Sequence, residues 1–86
     1  MSRLLQHFYS NQDYTNNMKN KFAQRLKELR IENKLNQGKL AELCKVQQSC
    51  ISKWERGETL PDIETLISIA EVLNVSTDYL LGVKDY

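Results

Sequence analysis

The stretch QQSCISKWERG, residues 47–57, combines hydrogen-bonding side chains with two apolar residues one helical turn apart. If Ile51 and Trp54 face the interior of the protein, a rotation of about 100° per residue turns the polar side chains outward. The outward residues are then Ser49, Ser52 and Lys53, with Gln48 beside them in the first turn. Amide, hydroxyl and ammonium groups in such a row can donate and accept hydrogen bonds in a fixed pattern.

Catalysis is not predicted, because the sequence shows no catalytic Ser/His/Asp or Cys/His set, no phosphate-binding glycine loop and no paired-carboxylate signal. Cys44 and Cys50 are six residues apart, and neither has a second cysteine or a histidine at zinc-finger spacing. His7, the single histidine, stands in a polar stretch and is expected to be exposed. We therefore predict no metal and no cofactor, and we expect both cysteines to be reduced thiols that pack as small apolar side chains.

Size and composition suit one small globular domain, since the chain has 86 residues, of which 41% are hydrophobic and 27% charged. No apolar run approaches the roughly 20 residues that a membrane span needs. The first residues also lack the apolar run and small-residue cleavage site of a secretory signal. A cytoplasmic protein is therefore expected.

The formal net charge of +1 conceals an uneven distribution along the chain. Residues 19–57 contain ten Lys or Arg against four acids, whereas residues 58–86 contain one lysine against six acids. This asymmetry indicates that one face meets a polyanion while the other faces elsewhere. The alternative is a solvated surface with unevenly placed charges.

Apolar residues recur with helical spacing from residue 20 onward, and this pattern predicts an all-α fold. The predicted helices span residues 20–33, 37–44, 47–56, 62–73 and 76–81. Asn36, Asp62 and Ser76 are suitable N-caps for the second, fourth and fifth helices. Gly57 and Gly82 mark the ends of the third and fifth.

Two further expectations concern the fourth helix and the chain ends. The fourth helix should be the most buried, because its apolar residues cover more than one face. They are Ile63, Leu66, Ile67, Ile69, Ala70 and Leu73. We divide the chain into an N-terminal extension, residues 1–18, which is expected to be poorly ordered, a domain of residues 19–82 and a tail of residues 83–86.

The second and third helices, joined by a short turn, have the spacing of a helix-turn-helix motif. Counting Gln37 as the first of twenty positions, apolar residues are needed at the fourth, eighth, tenth, fifteenth and eighteenth, and a small residue at the fifth. The chain supplies Leu40, Cys44, Val46, Ile51 and Trp54 at the apolar positions and Ala41 at the small one. Trp54 is accordingly expected in the core rather than as a stacking group for a nucleic acid.

The segment LNQGKLAELCKVQQSCISKWERGETLPDIETLISIAEVLNVSTDYLLG resembles the Cro/CI-type, or XRE-like, phage-repressor family. The resemblance covers about residues 19–82. It implies a five-helix lambda-repressor-like domain, with the helix-turn-helix at helices 2 and 3, that binds double-stranded DNA in a sequence-specific way. Lys45 departs from the family, which usually has a left-handed glycine at this turn, and this departure costs on the order of 1 kcal/mol.

The resemblance also implies roles for individual residues. The first, second and sixth residues of the recognition helix read bases in the family, and counted from Gln48 they are here Gln48, Ser49 and Lys53. Their side chains can hydrogen-bond to base edges in the major groove. The glutamine that begins the second helix contacts a phosphate in the family, and here it is Gln37. Further phosphate candidates are Asn36, which can also simply cap the helix, and Lys39, Gln47, Ser52 and Arg56, which can also be merely exposed.

The resemblance also implies an ion pair between two helices and a contact surface for a dimer. The family pairs an arginine late in helix 1 with a glutamate late in helix 3, and here these are Arg30 and Glu55. The surface around helix 5 is a candidate dimer patch, although core filling is an equal alternative for each of its members. They are Tyr79, Leu80, Leu81 and Val83.

The function implied is that of a transcriptional regulator, repressor-like, which binds a palindromic operator as a homodimer. Two recognition helices related by a two-fold axis predict half-sites about 34 to 36 Å apart. The alternative is an antitoxin-like or controller protein that acts mainly through a protein partner, using its acidic half or N-terminal extension, while also binding DNA.

Overall fold

A computed structural model gives the backbone of residues 11–86 and the side chains of residues 17–86. Five α-helices occupy this part of the chain, and no strand occurs within it. They are α1 (Asn11–Glu32), α2 (Gln37–Cys44), α3 (Gln48–Glu55), α4 (Ile63–Leu73) and α5 (Thr77–Leu81). The all-α prediction with five helices is therefore confirmed.

The first helix begins at Asn11, nine residues before the predicted start, so the prediction of its N-terminal end is wrong. The stretch before residue 20 has no strong apolar period, but a helix already anchored by buried residues extends at little further cost. Residues 11–18 of the predicted extension thus continue α1. The remaining ten residues, with His7, lie outside the described part of the chain, and the expectations about them stay untested.

The predicted N-caps form as hydrogen bonds. Asn36 Oδ1 accepts from the backbone N–H of Lys39 at 2.7 Å, and Asp62 Oδ1 accepts from that of Thr65 at 2.8 Å. Ser76 Oγ accepts from the third residue of α5 at 3.0 Å. These bonds satisfy N–H groups that a helix N-terminus leaves free, so they fix where α2, α4 and α5 begin.

The core is built from all five helices. Its fully buried large side chains are Phe22, Leu26, Leu40, Ile51, Ile69 and Leu80. The rings of Phe22 and Trp54 meet edge to face, with centroids 6.4 Å apart and planes at 73°, which fastens α3 against α1. Trp54 is only 6% exposed, so its assignment to the core is confirmed.

The prediction that α4 is the most buried helix is wrong, because the outer face of this helix is exposed. Ile69, Ala70 and Leu73 are buried, but Ile63 is 77% exposed and Ile67 is 48% exposed. These last two residues stand one turn apart, turned away from the buried stripe by the helical rotation. An apolar residue in a small domain is buried only where a neighbouring element covers it.

The short helix α5 is docked tightly on α1. Arg25 donates through Nη1 to the carbonyl oxygens of Tyr79, at 2.5 Å, and Lys84, at 2.6 Å, and its guanidinium carbon lies 4.3 Å from the Tyr79 ring centroid. Gly82 ends the helix with a φ of +78°, and a Cβ placed there would stand 2.5 Å from Lys21 Cδ. Only glycine fits both this backbone conformation and this close approach.

Candidate nucleic-acid interface

The turn between α2 and α3 is tight and hydrogen-bonded. The Lys45 N–H donates to the Glu42 carbonyl at 3.2 Å, and the Val46 N–H donates to the Ala41 carbonyl at 2.9 Å. Lys45 adopts the left-handed conformation, with φ 60° and ψ 44°, at the position where the sequence departs from the expected glycine. Ala41 is 3% exposed, as the predicted close approach of the two helices requires.

On α3, the apolar and polar residues separate as the helical rotation predicts. Ile51 is fully buried, while the three residues predicted to read bases are exposed. These are Gln48, Ser49 and Lys53. Their exposure leaves amide, hydroxyl and ammonium groups on one outer face, available to another molecule.

The beginning of α3 lies close to the beginning of α2. A Cβ built on Gly38 would stand 3.4 Å from Gln48 Oε1 and 3.4 Å from Asn36 Oδ1. The absence of a side chain on Gly38 therefore gives the Gln48 amide room beside the first turn of α2. The closeness of Gly38 to Gln48 depends on how the two helices pack, which the spacing of residues in the sequence does not show.

The predicted pair between Arg30 and Glu55 is present and has two hydrogen bonds. Arg30 Nε lies 2.6 Å from Glu55 Oε2, and Arg30 Nη2 lies 3.1 Å from Glu55 Oε1. The side chains are 13% and 5% exposed, respectively, and Arg30 Nη1 also donates to the Leu35 carbonyl at 2.9 Å. The hydrogen bond to Glu55 raises the pKa of Arg30 above its ordinary value. The pair joins α1 to α3 in a charged, hydrogen-bonded contact.

Gln37, the phosphate candidate at the start of α2, is half-buried and belongs to the same network. Its Nε2 donates to Glu55 Oε1 at 3.1 Å. Glu55 therefore holds side chains from α1 and α2 while standing on α3 itself. No pattern in the sequence predicts the contact between Gln37 and Glu55, since the two residues are 18 positions apart.

The other phosphate candidates occupy the rim of the α2–α3 unit. Asn36 is exposed and caps α2, and Lys39 Nζ lies 3.1 Å from the Glu42 carboxylate. Gln47 is the N-cap residue of α3 but makes no side-chain cap hydrogen bond, and its Oε1 lies 3.5 Å from Ser49 Oγ. The Gln47 amide is thus exposed at the N-terminus of the helix that carries the predicted base-reading residues.

Ser52 and Arg56 meet at the other end of α3. Ser52 is half-buried, and its Oγ accepts a hydrogen bond from Arg56 Nη1. Arg56 Nε lies 2.5 Å from Glu58 Oε2. The hydrogen bond from Arg56 lowers the pKa of Glu58, with smaller contributions from the charges of Arg56 and Lys53. No pattern in the sequence predicts this contact of Glu58, which lies outside the helix.

Both cysteines are free thiols, one buried and one half-buried. Burial raises the pKa of the Cys44 thiol, which keeps it protonated and unreactive near neutral pH. Cys44 packs in the core, as the helix-turn-helix spacing requires.

The candidate dimer patch needs a correction. Leu80 is fully buried among core residues, so it cannot contribute to a surface, and its assignment to the patch is wrong. Tyr79 and Leu81 are half-buried, and Val83 is 61% exposed. Leu80 faces inward because α5 lies against α1 and α4, which take its apolar side into the core.

In the described part of the chain, no helix is both long and apolar enough to cross a membrane.

Comparisons with known proteins agree with this geometry. A family model described as helix-turn-helix matches residues 26–80. The chain is 38% identical over 60 residues to the HTH-type transcriptional regulator YqaE of Bacillus subtilis, covering 70% of this chain and 52% of that protein. It is 38% identical over 59 residues to repressor protein C2 of Salmonella phage P22, covering 69% of this chain and 27% of that protein. The chain spans 27% to 57% of the lengths of the curated relatives it matches.

Solved structures give the same result. The crystal structure of the P22 c2 repressor in complex with a synthetic operator has a TM-score of 0.71 and 35% identity, covering 73% of this chain and 96% of that one. The controller protein C.AhdI of Aeromonas hydrophila has a TM-score of 0.68 and 32% identity, covering 72% of this chain and 94% of that one. The matched residues contain α2, α3 and the turn between them. The chain belongs to the helix-turn-helix family.

Proposed function

We propose that this chain binds double-stranded DNA in a sequence-specific way and acts as a repressor-like transcriptional regulator. One observation carries the proposal: the outer face of α3 is polar and exposed while its inner face is anchored in the core. Helices of this motif lie in the major groove, with their N-terminal residues against base edges. The P22 c2 repressor, which the chain resembles over most of that structure's length, was crystallised with a synthetic operator.

The base-reading residues in this proposal are Gln48, Ser49 and Lys53. A glutamine amide can pair with adenine through two hydrogen bonds, and a lysine ammonium can donate to O6 and N7 of guanine. The serine hydroxyl can donate or accept. The chemistry of the three side chains therefore suits discrimination among base pairs, beyond simple attraction to a polyanion.

Backbone contacts in this proposal come from the rim of the α2–α3 unit. The N–H groups at the start of α2 favour an anion, and the Gln37 side chain stands beside them. The other candidates lie on α2 and α3 or directly beside their ends: Asn36, Lys39, Gln47 and Arg56 are exposed, and Ser52 is half-buried. Contacts of this kind fix the register of the protein on the duplex without reading its sequence.

We further propose that two copies bind one palindromic operator, because a single short recognition helix reads only a few base pairs. Val83, with Tyr79 and Leu81 beside it, is the candidate contact between copies. Val83→Glu is then expected to shift sedimentation toward the monomer. An unchanged sedimentation coefficient would show that Val83 is not part of the contact between the two copies.

Selection of bound duplexes from a random pool tests the proposal most directly. The expected result is an enriched palindrome with half-sites about one helical turn apart. A matched pool selected with a Gln48→Ala, Ser49→Ala, Lys53→Ala triple variant should lose the enriched bases. Recovery of no common sequence by the unsubstituted protein would contradict sequence-specific binding.

A second candidate function is that of a controller-type protein that also acts through a protein partner. The match to a restriction-modification controller protein over 94% of that structure favours it. Exposed acids on α4, Glu64 and Glu71, lie on a helix other than α3 and are available to such a partner. Pull-down from the native host with the full chain is the test, since the absence of a stoichiometric partner favours a stand-alone regulator.

A further inference from the structure

Glu58 stands directly beside the proposed DNA-facing surface, because the backbone turns back on itself after α3. The Gly57 N–H donates to the Trp54 carbonyl at 3.1 Å, and the Glu58 N–H donates to the Lys53 carbonyl at 3.0 Å. Gly57 has a φ of +74°, a conformation that glycine adopts without strain. This turn holds the Glu58 carboxylate over the last turn of α3.

Arg56 belongs to the same outer face as the predicted base-reading residues. It follows Ser52 by four positions and Ser49 by seven, which places the three side chains in one row along the helix. Arg56 is 54% exposed, so its guanidinium is within reach of a molecule that covers this row. An arginine at such a place is a natural ligand for a phosphate.

The guanidinium of Arg56 is already engaged within the protein. Its Nε donates to Glu58 at 2.5 Å, and its Nη1 donates to Ser52. The Glu58 side chain is 50% exposed, so its negative charge faces the same solvent that a DNA backbone would occupy. A phosphate approaching Arg56 therefore meets a carboxylate that both occupies the Nε donor and repels the anion.

Resting on the DNA-binding function proposed above, we infer that Glu58 restrains Arg56 and thereby weakens contact with the backbone of any duplex. Arg56 makes the phosphate contact, and Glu58 acts through it as a positioning residue. An exposed ion pair is weak, so a phosphate can displace it, but each binding event must first break it. The carboxylate sets the strength of backbone binding without reading a base.

The test uses Glu58→Gln, which removes the charge and keeps the shape of the side chain. Affinity is measured by fluorescence anisotropy, over a range of salt concentrations, on a random-sequence duplex and on the duplex selected from the random pool. The expected result is about three- to tenfold tighter binding near 0.1 M salt on both duplexes, with nearly the same slope of log K against log salt, because Arg56 contacts the phosphate in both proteins. Thermal unfolding of each variant verifies that it is folded.

Two further variants make the result decisive. Glu71→Gln changes the net charge by the same amount at another exposed acid, on α4, and is expected to leave the affinity for both duplexes nearly unchanged. In an Arg56→Gln background, Glu58→Gln is expected to give no gain, because its effect acts through Arg56. A gain that survives in that background, or an equal gain from Glu71→Gln, would overturn the inference.

The remaining outcomes are also informative. Weaker binding by Glu58→Gln on both duplexes would mean that Glu58 holds Arg56 in its binding position, which overturns restraint. A loss on the selected duplex alone would make Glu58 a base contact and overturn it as well. If the unsubstituted protein binds neither duplex even at low salt, the proposed function fails, whereas binding without any effect of Glu58→Gln defeats only this inference.

Discussion

Glu55 Oε1 accepts hydrogen bonds from Arg30 Nη2 and from Gln37 Nε2, each at 3.1 Å, so a single carboxylate on α3 holds side chains from α1 and α2. Because the Glu55 side chain is 5% exposed, solvent does little to replace a lost partner. This contact fixes the orientation of α3, and therefore the direction in which its outer face points.

Removal of one member of the pair should strongly destabilise the fold. Arg30→Met leaves the Glu55 carboxylate buried without its main partner, and a loss of about 3 to 5 kcal/mol in the free energy of unfolding is expected. The Arg30→Met, Glu55→Met double variant should recover much of that loss, because it leaves no uncompensated charge. Urea unfolding measures both. A loss below about 1 kcal/mol for Arg30→Met would show that the pair behaves like an exposed one.

Lys53→Ala tests whether Lys53 contacts a base or a phosphate of the DNA backbone. A loss of about 1 to 3 kcal/mol in binding free energy is expected on the selected duplex, and a much smaller one on random DNA. Lys39→Ala is the matched control, since Lys39 is an exposed lysine assigned to the backbone. Lys39→Ala should weaken binding to both duplexes by a similar factor, and the slope of log K against log salt should become shallower by about one. Equal losses for Lys53→Ala on the two duplexes would assign Lys53 to the phosphates.

Gln37→Ala should weaken binding to every duplex by a similar factor, because phosphate contacts carry no sequence information. The variant also loses the 3.1 Å hydrogen bond to Glu55, so its free energy of unfolding must be measured beside its affinity. If the affinities for the selected and random duplexes stay unchanged while stability falls, Gln37 has a structural role only.

Lys45→Gly should stabilise the protein, because Lys45 is held at a φ of 60°, where a side chain crowds the backbone and glycine does not. A gain of about 0.5 to 1 kcal/mol is expected from thermal unfolding. The control is Lys39→Gly inside α2, which should instead cost about 1 kcal/mol. A loss of stability for Lys45→Gly would show that the lysine side chain makes contacts that outweigh the strain.

The cap of α4 should make stability depend on acid pH. Hydrogen bonds that the Asp62 carboxylate accepts from the side chain and the backbone N–H of Thr65 lower the pKa of Asp62 in the folded protein. Its contribution to stability is therefore full above the unfolded pKa of about 4, and is lost as the pH falls through the lower folded value. Asp62→Asn keeps a capping oxygen but does not titrate. The midpoint temperature of thermal unfolding should fall less steeply for this variant than for the unsubstituted protein in this acid range. Identical pH profiles for the two proteins would show that the ionisation of Asp62 does not contribute to stability.

The sequence by itself determined the five helices within residues 11–86, the N-caps of α2, α4 and α5 and the helix-turn-helix spacing, because these depend on residues within one or two turns of each other. Asn36, Asp62 and Ser76 could be assigned as caps since each bonds an N–H three positions ahead. Likewise, a rotation of about 100° per residue was enough to divide α3 into a buried face and an exposed one.

Only the tertiary structure decided which apolar residues are covered and which polar groups meet. Ile63 and Leu80 look alike in the sequence, yet one is 77% exposed and the other fully buried, because burial depends on the element packed opposite. The contact of Gln37 with Glu55 joins residues on different helices, and a helical period says nothing about such a distance. The bond between Glu58 and Arg56 depends on the left-handed turn at Gly57, which brings a residue outside the helix back onto its exposed face.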